Sequence, residues 1–495
     1  MIPRISFNLP LRAILPAERG EGAAISSPIQ ALTDAIAFMP RPPDAIFRSG
    51  MYRDTIVAIS TPLGEGGIGI VRLSGAEALS VAKVIFPGKL SDRRLAYGHI
   101  IDPRTGERVD EVLVSFMASP HTYTREDVIE INCHGGPLPL QRILQLALRH
   151  GARLAQPGEF TLRAFLNGRI DLAQAESVLD VIRSRTEASL RMAVQGLDGR
   201  LSTAVRDLRE LLLSALAYLT ARIDFPEDEV PSQDVVRPLN EALRALRGLI
   251  ATADAGMAYR FGVKTAIVGR PNVGKSSLLN RLLREDRSIV TPVPGTTRDT
   301  IEEVANLGGV PFVLVDTAGI IHSKDLVESL GVERSRRAVE QADLVLVMID
   351  ASQPITDADR DIVALTGNKA TMVVANKCDL PQQAKPEELG HDTVHTSALS
   401  GEGLGHLEEK MVELALGGKI VVSDALMVNN PRHKDALERA ARALDEAVRD
   451  LEARVPDDFV TIHLTASIDA LGEITGETVR EDLLETIFGN FCIGK

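Results

Sequence analysis

The segment that most restricts this chain is Gly269-Arg270-Pro271-Asn272-Val273-Gly274-Lys275-Ser276. It follows an apolar, strand-like run at 264–268 and opens into a helix-forming run at 277–283. Gly269 and Gly274 let the backbone wrap around phosphate, so that successive N–H groups and the N-terminus of the following helix face negative charge. Lys275 is expected to reach the β- and γ-phosphates, and the Ser276 hydroxyl to bind Mg²⁺. Val273 and Ser277 complete the loop around the nucleotide.

Three further segments follow in order. Residues 311–315 form an apolar strand ending in Asp316-Thr317-Ala318-Gly319, where Asp316 can hold the Mg²⁺ shell and Gly319 can approach a γ-phosphate. Another strand, 371–375, ends in Asn376-Lys377-Cys378-Asp379. A carboxylate there accepts two hydrogen bonds from the N1–H and N2–H₂ of guanine, a pair that adenine cannot supply. Ser397-Ala398-Leu399 is the expected loop over the base. Four such elements in this order imply a guanine nucleotide site.

Hydrolysis is constrained as well. Ras-like proteins place a water-orienting Gln after the Asp-Thr-Ala-Gly element. Ile320 stands here and cannot orient water, so another base and a neutralising charge are needed. The loop Thr291-Pro292-Val293-Pro294-Gly295-Thr296-Thr297-Arg298-Asp299 offers Thr297 as a second Mg²⁺ ligand. Arg298 reads either as an arginine finger or as a loop residue paired with its neighbour Asp299.

From Asp54 onward, short apolar runs alternate with Gly clusters. Strands are expected at 55–60 and 69–73, flanking the Gly-rich 64–67, and at 127–132 before Gly135-Gly136. Residues 137–150 have helical spacing, giving an α+β domain over 51–170. No Pro occurs between Pro157 and Pro226, and Leu201, Val205, Leu208, Leu212, Leu216, Leu219 and Ile223 form one stripe of a long helix. A break at 224–231 precedes a restart over 240–253, and the pattern returns at Leu437, Ala441, Leu444, Val448 and Leu451. These stretches, 171–262 and 421–495, flank the α/β segment 263–420. The pattern suggests one helical domain with the nucleotide domain inserted; adjacent independent bundles are the alternative. The fold class is multidomain α+β.

The balance of 55 Lys plus Arg against 68 Asp plus Glu, net −13, argues against a polyanion-coating protein. Any RNA contact must use local basic patches. Three Cys, too few and odd in number for a disulfide framework, suit a reducing cytosol. No run approaches the 18 to 20 or so apolar residues of a membrane span. Residues 1–50 hold seven of the 26 Pro, no Lys and no sustained period. They read as a disordered leader or a mis-assigned start, with Met51 opening the protein. A mitochondrial transit peptide is the other reading, opposed by Glu18, Glu21, Asp34 and Asp44.

Gly295-Thr296-Thr297-Arg298-Asp299, with Asn272 in the phosphate loop, resembles the Era-like GTPases. The tail Phe491-Cys492-Ile493-Gly494-Lys495, after Gly472-Glu473-Ile474-Thr475-Gly476-Glu477, is similar to the MnmE (TrmE) family of tRNA modification GTPases. So are Pro157-Gly158-Glu159-Phe160-Thr161, Ala164-Phe165-Leu166-Asn167-Gly168-Arg169, Asp171-Leu172-Ala173-Gln174-Ala175-Glu176, the break Ile223-Asp224-Phe225-Pro226-Glu227 and the stretch 54–75. The resemblance extends over about residues 52 to 495.

The resemblance implies a K⁺ ion coordinated by Asn272 with oxygens of Thr291, Val293 and Thr296, where an arginine finger would sit. It implies Glu328, 12 residues after Asp316, as the water-activating acid; taken alone, Glu328 reads as a solvated helix-face charge. It implies an amino-terminal domain resembling tetrahydrofolate-binding folds, with Arg72, Glu130, Arg169 and terminal Lys495 around a 5-formyltetrahydrofolate-type cofactor. It implies a homodimer that joins an FAD-dependent MnmG (GidA) partner in a heterotetramer and modifies the wobble uridine of tRNA in the cytoplasm. Cys492 reads as a nucleophile for that modification or as a small residue docking the tail. One departure is Glu65, in a Gly-rich loop position that is often Arg in the family. An Era-like ribosome-assembly or RNA-binding switch is the alternative function.

Overall fold

A computed structural model describes residues 54–225, 230–285, 303–315, 336–418, 426–479 and 481–495. The first sheet has the order β3-β4-β5-β2-β1-β6, with β1 (Ile56–Ile59), β2 (Gly69–Ser74), β3 (Leu95–Ile101), β4 (Arg108–Met117), β5 (Val128–Cys133) and β6 (Arg153–Leu154). Its pairs are antiparallel except β1 with β6. Helices α1 (Ala78–Ile85) and α2 (Pro137–Arg149) cover one face, packing Val81, Ile85, Leu140 and Ile143 against Val71, Leu73, Ile129 and Ile131. Opposite lies α3 (Glu159–Leu166), which brings Phe160 onto Ile56 and Ala58.

The strands expected at 55–60, 69–73 and 127–132 form β1, β2 and β5. The β3–β4 hairpin lies between them without a sequence expectation of its own. Its alternation is blurred by exposed apolar residues such as Leu95 and Tyr97.

The second sheet, order β12-β11-β10-β7-β9-β8, comprises β7 (Val263–Gly269), β8 (Glu303–Leu307), β9 (Val310–Val315), β10 (Leu344–Asp350), β11 (Ala370–Asn376) and β12 (Thr393–Thr396). All pairs are parallel except β8 with β9. A parallel sheet is covered on both faces, and β10 is buried at every residue. Two clusters form around it. One joins Leu278 and Leu282 of α9 (Lys275–Glu285) and Leu407 of α11 (Leu404–Ala415) to Leu346 of β10; the other includes Val345, Val347, Val373 and Ala338.

The remaining helices are α4 (Leu172–Arg183), α5 (Glu187–Leu197), α6 (Arg200–Asp224), α7 (Val236–Ile250), α8 (Ala253–Phe261), α10 (Asp357–Thr366), α12 (Pro431–Glu452), α13 (Asp457–Thr475) and α14 (Glu481–Gly489). Leu212, Leu219, Leu239, Leu246, Leu437, Leu444, Leu464 and Leu471 share one core, so chain segments before and after the second sheet bury the same surface. Each such leucine contributes about 2 kcal/mol on burial. The helix after the break starts at Val236 rather than residue 240. Pro238 is tolerated because it lies in the first turn, where a backbone N–H has no intrahelical acceptor. α14 joins a different core, with Leu484, Phe488 and Phe491 against Ala164, Leu172 and Leu179.

Candidate functional site

The loop from β7 to α9 curls around one ammonium group. Lys275 Nζ donates to the carbonyls of Gly269 and Arg270, each at 2.7 Å, and burial lowers its pKa. Asn272 has φ of 64°, a left-handed conformation that Asn tolerates better than most residues. Gly274 has φ of 104°, and a Cβ there would lie 2.2 Å from Asn376 Nδ2. That position therefore admits only glycine without local rearrangement. Ser276 and Ser277 are exposed at the first turn of α9, and Val273 is buried beneath the loop. A concave backbone, a helix N-terminus and a desolvated ammonium together suit a polyphosphate with its Mg²⁺.

Asn376, at the end of β11, joins this loop to the base side. Its Nδ2 donates to Val273 O at 2.7 Å, and its Oδ1 accepts from the Ala398 N–H at 2.9 Å. Lys377, with φ of 67°, donates Nζ to Asp350 Oδ2 at 2.6 Å. Burial would raise the Asp350 pKa, but Lys377 and Ser352 hold it below the usual carboxylate value. Asp379 and Leu399 are exposed, and Ser397 is buried. The solvent-exposed carboxylate of Asp379 can accept two donors from a planar ring.

Two supports were not foreseen. Arg281 on α9 donates to the carbonyls of Ala398 (3.3 Å) and Leu399 (2.7 Å), holding the base loop from below. Asp350 carries a sequence signal, since it ends the otherwise apolar run 344–349. Arg281 carries none, being one of several basic residues on an amphipathic helix.

The residues Thr291, Pro292, Val293, Pro294, Gly295, Thr296, Thr297 and Arg298 lie outside the described residues. So do Asp316, Thr317, Ala318, Gly319, Ile320 and Glu328.

A second group of expected residues meets on the first sheet. Arg72 on β2 and Glu130 on β5 are register partners, with Arg72 Nε donating to Glu130 Oε1 at 2.8 Å. Arg72 Nη1 also donates to Gly494 O at 3.2 Å, and Ser60 Oγ donates to the same carbonyl at 3.1 Å. Gly494 has φ of 93°, and a Cβ there would lie 2.5 Å from Ile59 O. The tail is therefore seated directly on β1. A bridge between Pro157 and Ile493 completes this seating, which the sequence reading did not foresee in detail.

Lys495 is half-buried, with its N–H on Cys492 O at 3.3 Å. Arg169 is exposed and stacks over the Tyr123 ring at 4.7 Å; its described contacts do not include Arg72 or Glu130. Cys492 is exposed, whereas Cys133 is buried and its thiol is pushed up to about 11 by that burial.

The nucleotide cradle with its guanine-directed Asp and base loop, built on a mostly parallel sheet, defines a guanine-nucleotide-binding protein of the P-loop class. The family described as MnmE helical domain matches residues 172–492, and that described as GTP-binding protein TrmE N-terminus matches 55–169. Similar relatives are the tRNA modification GTPase MnmE of Roseiflexus castenholzii, 53% identical over 90% of this chain and 100% of its own, and that of Chloroflexus aurantiacus, 53% identical over 89% and 100%. The protein of the same description from Desulforamulus reducens is 48% identical over 90% and 100%. Among solved structures, Era in complex with MgGDPNP and a 16S ribosomal RNA fragment is 32% identical over 37% of this chain and 66% of that one, with a TM-score of 0.24. The chain belongs to the MnmE family of tRNA modification GTPases. GTP and Mg²⁺ binding go with that membership. No helix among the described residues is long and apolar enough to cross a membrane.

Proposed function

We propose that this protein is the K⁺-stimulated, GTP-hydrolysing component of a tRNA wobble-uridine modification system in the cytoplasm. It acts as a homodimer with an FAD-dependent MnmG (GidA) partner. Together they add an aminomethyl or carboxymethylaminomethyl group at carbon 5 of the wobble uridine, using a folate one-carbon donor. The observation that carries the reading is the pairing of two sites in one chain: a guanine nucleotide cradle around Lys275 and Asn376, and a carboxy-terminal tail seated at Arg72 and Glu130.

At the first site, Lys275 and the N–H groups of Asn272, Val273, Gly274, Ser276 and Ser277 hold phosphate. Ser276 and Thr297 hold Mg²⁺, with Asp316, Thr317, Ala318 and Gly319 beside it. Asp379, Asn376, Lys377, Ser397, Ala398 and Leu399 enclose the base. Asn272 with oxygens of Thr291, Val293 and Thr296 would hold K⁺, supplying charge near the β–γ bridge that Arg298 need not provide. Glu328 takes the proton of the attacking water.

At the second site, Glu130 pairs the amino-pyrimidine edge of the folate, Arg72, Arg169 and Lys495 meet its carbonyl and glutamate tail, and the bound folate supplies a one-carbon unit. Cys492 acts in the modification and not in GTP hydrolysis. The working division is a folate-binding-like domain at 51–170, helical segments at 171–262 and 421–495, and the nucleotide domain at 263–420.

Mass analysis of wobble uridines in tRNA from a deletion strain tests the whole reading: the carbon-5 modification should vanish and return on complementation. An unchanged tRNA profile would leave a GTPase of other purpose. Purified protein should hydrolyse GTP faster in K⁺ than in Na⁺ buffer, and equal rates remove the K⁺ assignment. Glu328→Ala with normal turnover and intact nucleotide binding would remove the assigned base.

A further inference from the structure

The chain passes between the helices and the nucleotide sheet at two places. Residues 261–263 lead from α8 into β7, and residues 426–430 lead back into α12. Both crossings are held by one carboxylate on α4. Asp180 Oδ1 accepts from Arg260 Nε at 2.6 Å, and Asn429 Nδ2 lies 3.5 Å from Asp180 Oδ2. Arg260 Nη1 also donates to Asn429 O at 3.2 Å, closing a triangle. Asp180 and Arg260 side chains are only 10% and 15% exposed, so their charge-assisted bond is shielded from water. A cavity of about 80 Å³, lined by Asp180, Arg183, Arg260 and Asn429 among others, borders the cluster.

The same helix carries the tail. Leu172, Ala175 and Leu179 of α4 pack on Leu484, Phe488 and Phe491. Arg183, one turn beyond Asp180, donates Nη2 to Asn490 O at 3.0 Å. Two residues later comes the exposed Cys492, and Gly494 then meets Arg72. α4 is 12 residues long and capped at its start by Asp171 and Gln174, so it moves as one body.

We propose that α4 is the rigid link through which the nucleotide domain positions the carboxy-terminal tail. Asp180 is the positioning residue that fastens both crossings to it, and Arg183 is its grip on the segment before Cys492. The proposal rests on the GTPase reading given above. It adds the route by which a change around the nucleotide alters the surroundings of Cys492. Contiguity is not coupling, so the experiment measures coupling directly.

Full-length protein is labelled with iodoacetamide in GDP and in a non-hydrolysable GTP analogue, and the rate at Cys492 is read by peptide mass analysis. The two rates should differ by at least about fivefold, the low end of ordinary allosteric coupling. Asp180→Asn should bring their ratio to about one, while GTP hydrolysis by the variant alone stays within about twofold of the parent. If Asp180→Asn fails to fold, Arg183→Ala, a change at an exposed side chain, carries the same expectation. Nucleotide-independent labelling of the parent protein overturns the proposal, as does a parent-like ratio in the folded variant. Parent protein that neither binds nor hydrolyses GTP removes the GTPase reading itself, a result distinct from intact hydrolysis with uncoupled labelling.

Discussion

The nucleotide cradle and the tail site are built on opposite plans. Around the phosphates, the contacts of Lys275 run to Gly269 and Arg270, six and five residues away. The loop, its glycines and its helix are one stretch of chain, so the local sequence dictates the geometry. At the tail site, Arg72 meets Glu130 across a sheet and Gly494 from the far end of the protein. The Glu176–Arg432–His433 cluster between α4 and α12 follows the second plan too, with Arg432 bonding both oxygens of Glu176 at 3.1 and 2.6 Å and His433 Nε2 2.7 Å from Oε2. The first kind of site takes its shape from one stretch of chain, with Asn376 as its main long-range support. The second kind depends on three folded segments arriving together.

That contrast can be tested in order of effect. Asp379→Asn removes the charged acceptor for guanine. Charge-assisted bonds contribute about 1.5–3 kcal/mol each, so GTP affinity should fall by about 100-fold, read by titration with a fluorescent analogue. A change under about threefold would mean that the base is recognised elsewhere.

Asn376→Ala comes next. It leaves the buried Val273 carbonyl and Ala398 N–H without partners and should cost about 2 kcal/mol, visible in a urea titration. Bound GDP should recover part of that loss, because ligand binding stabilises the folded state.

At the tail, Arg72→Ala removes one partly exposed ion pair and one bond to Gly494 O, a loss of about 1 kcal/mol. The segment after Phe491 should then be cut faster by a protease, and folate affinity should fall. A tail equally protected in the variant would show that the Pro157–Ile493 bridge suffices.

The smallest effect concerns acid. Burial opposes charge on Glu176, but His433 and Arg432 outweigh it and hold the carboxyl well below its usual 4.5. Burial is the main reason that the His433 pKa lies below 6.5. Both groups bind fewer protons folded than unfolded, so their stabilisation is complete above pH 6.5 and is lost as pH falls. His433 contributes first, from 6.5 downward, and Glu176 from 4.5 downward. The melting temperature should drop over that range, and His433→Gln should flatten its upper part.

What could be read in the sequence follows the same division. Strands β7, β9 and β11 and helix α9 were legible because apolar runs meet phosphate-loop chemistry directly. β10 was missed as a site element although Asp350, closing an apolar run, points at Lys377. Arg281 was illegible, since the carbonyls it holds are more than 100 residues away. Arg72 and Glu130 entered only by resemblance; no local pattern distinguishes them from surface charges. Their pairing is a matter of strand register, which is fixed by which face each strand buries.

The sequence by itself determined the guanine nucleotide site, the long helix α6 and the family. Each is carried by residues at short, fixed spacings along one backbone. Only the tertiary structure decided that Gly494 sits on β1 beside Arg72, that α14 joins α3 and α4, and that Asp180 holds both chain crossings. Those contacts join segments up to more than 400 residues apart. They depend on how several buried faces pack at once, and no local period in the chain encodes that.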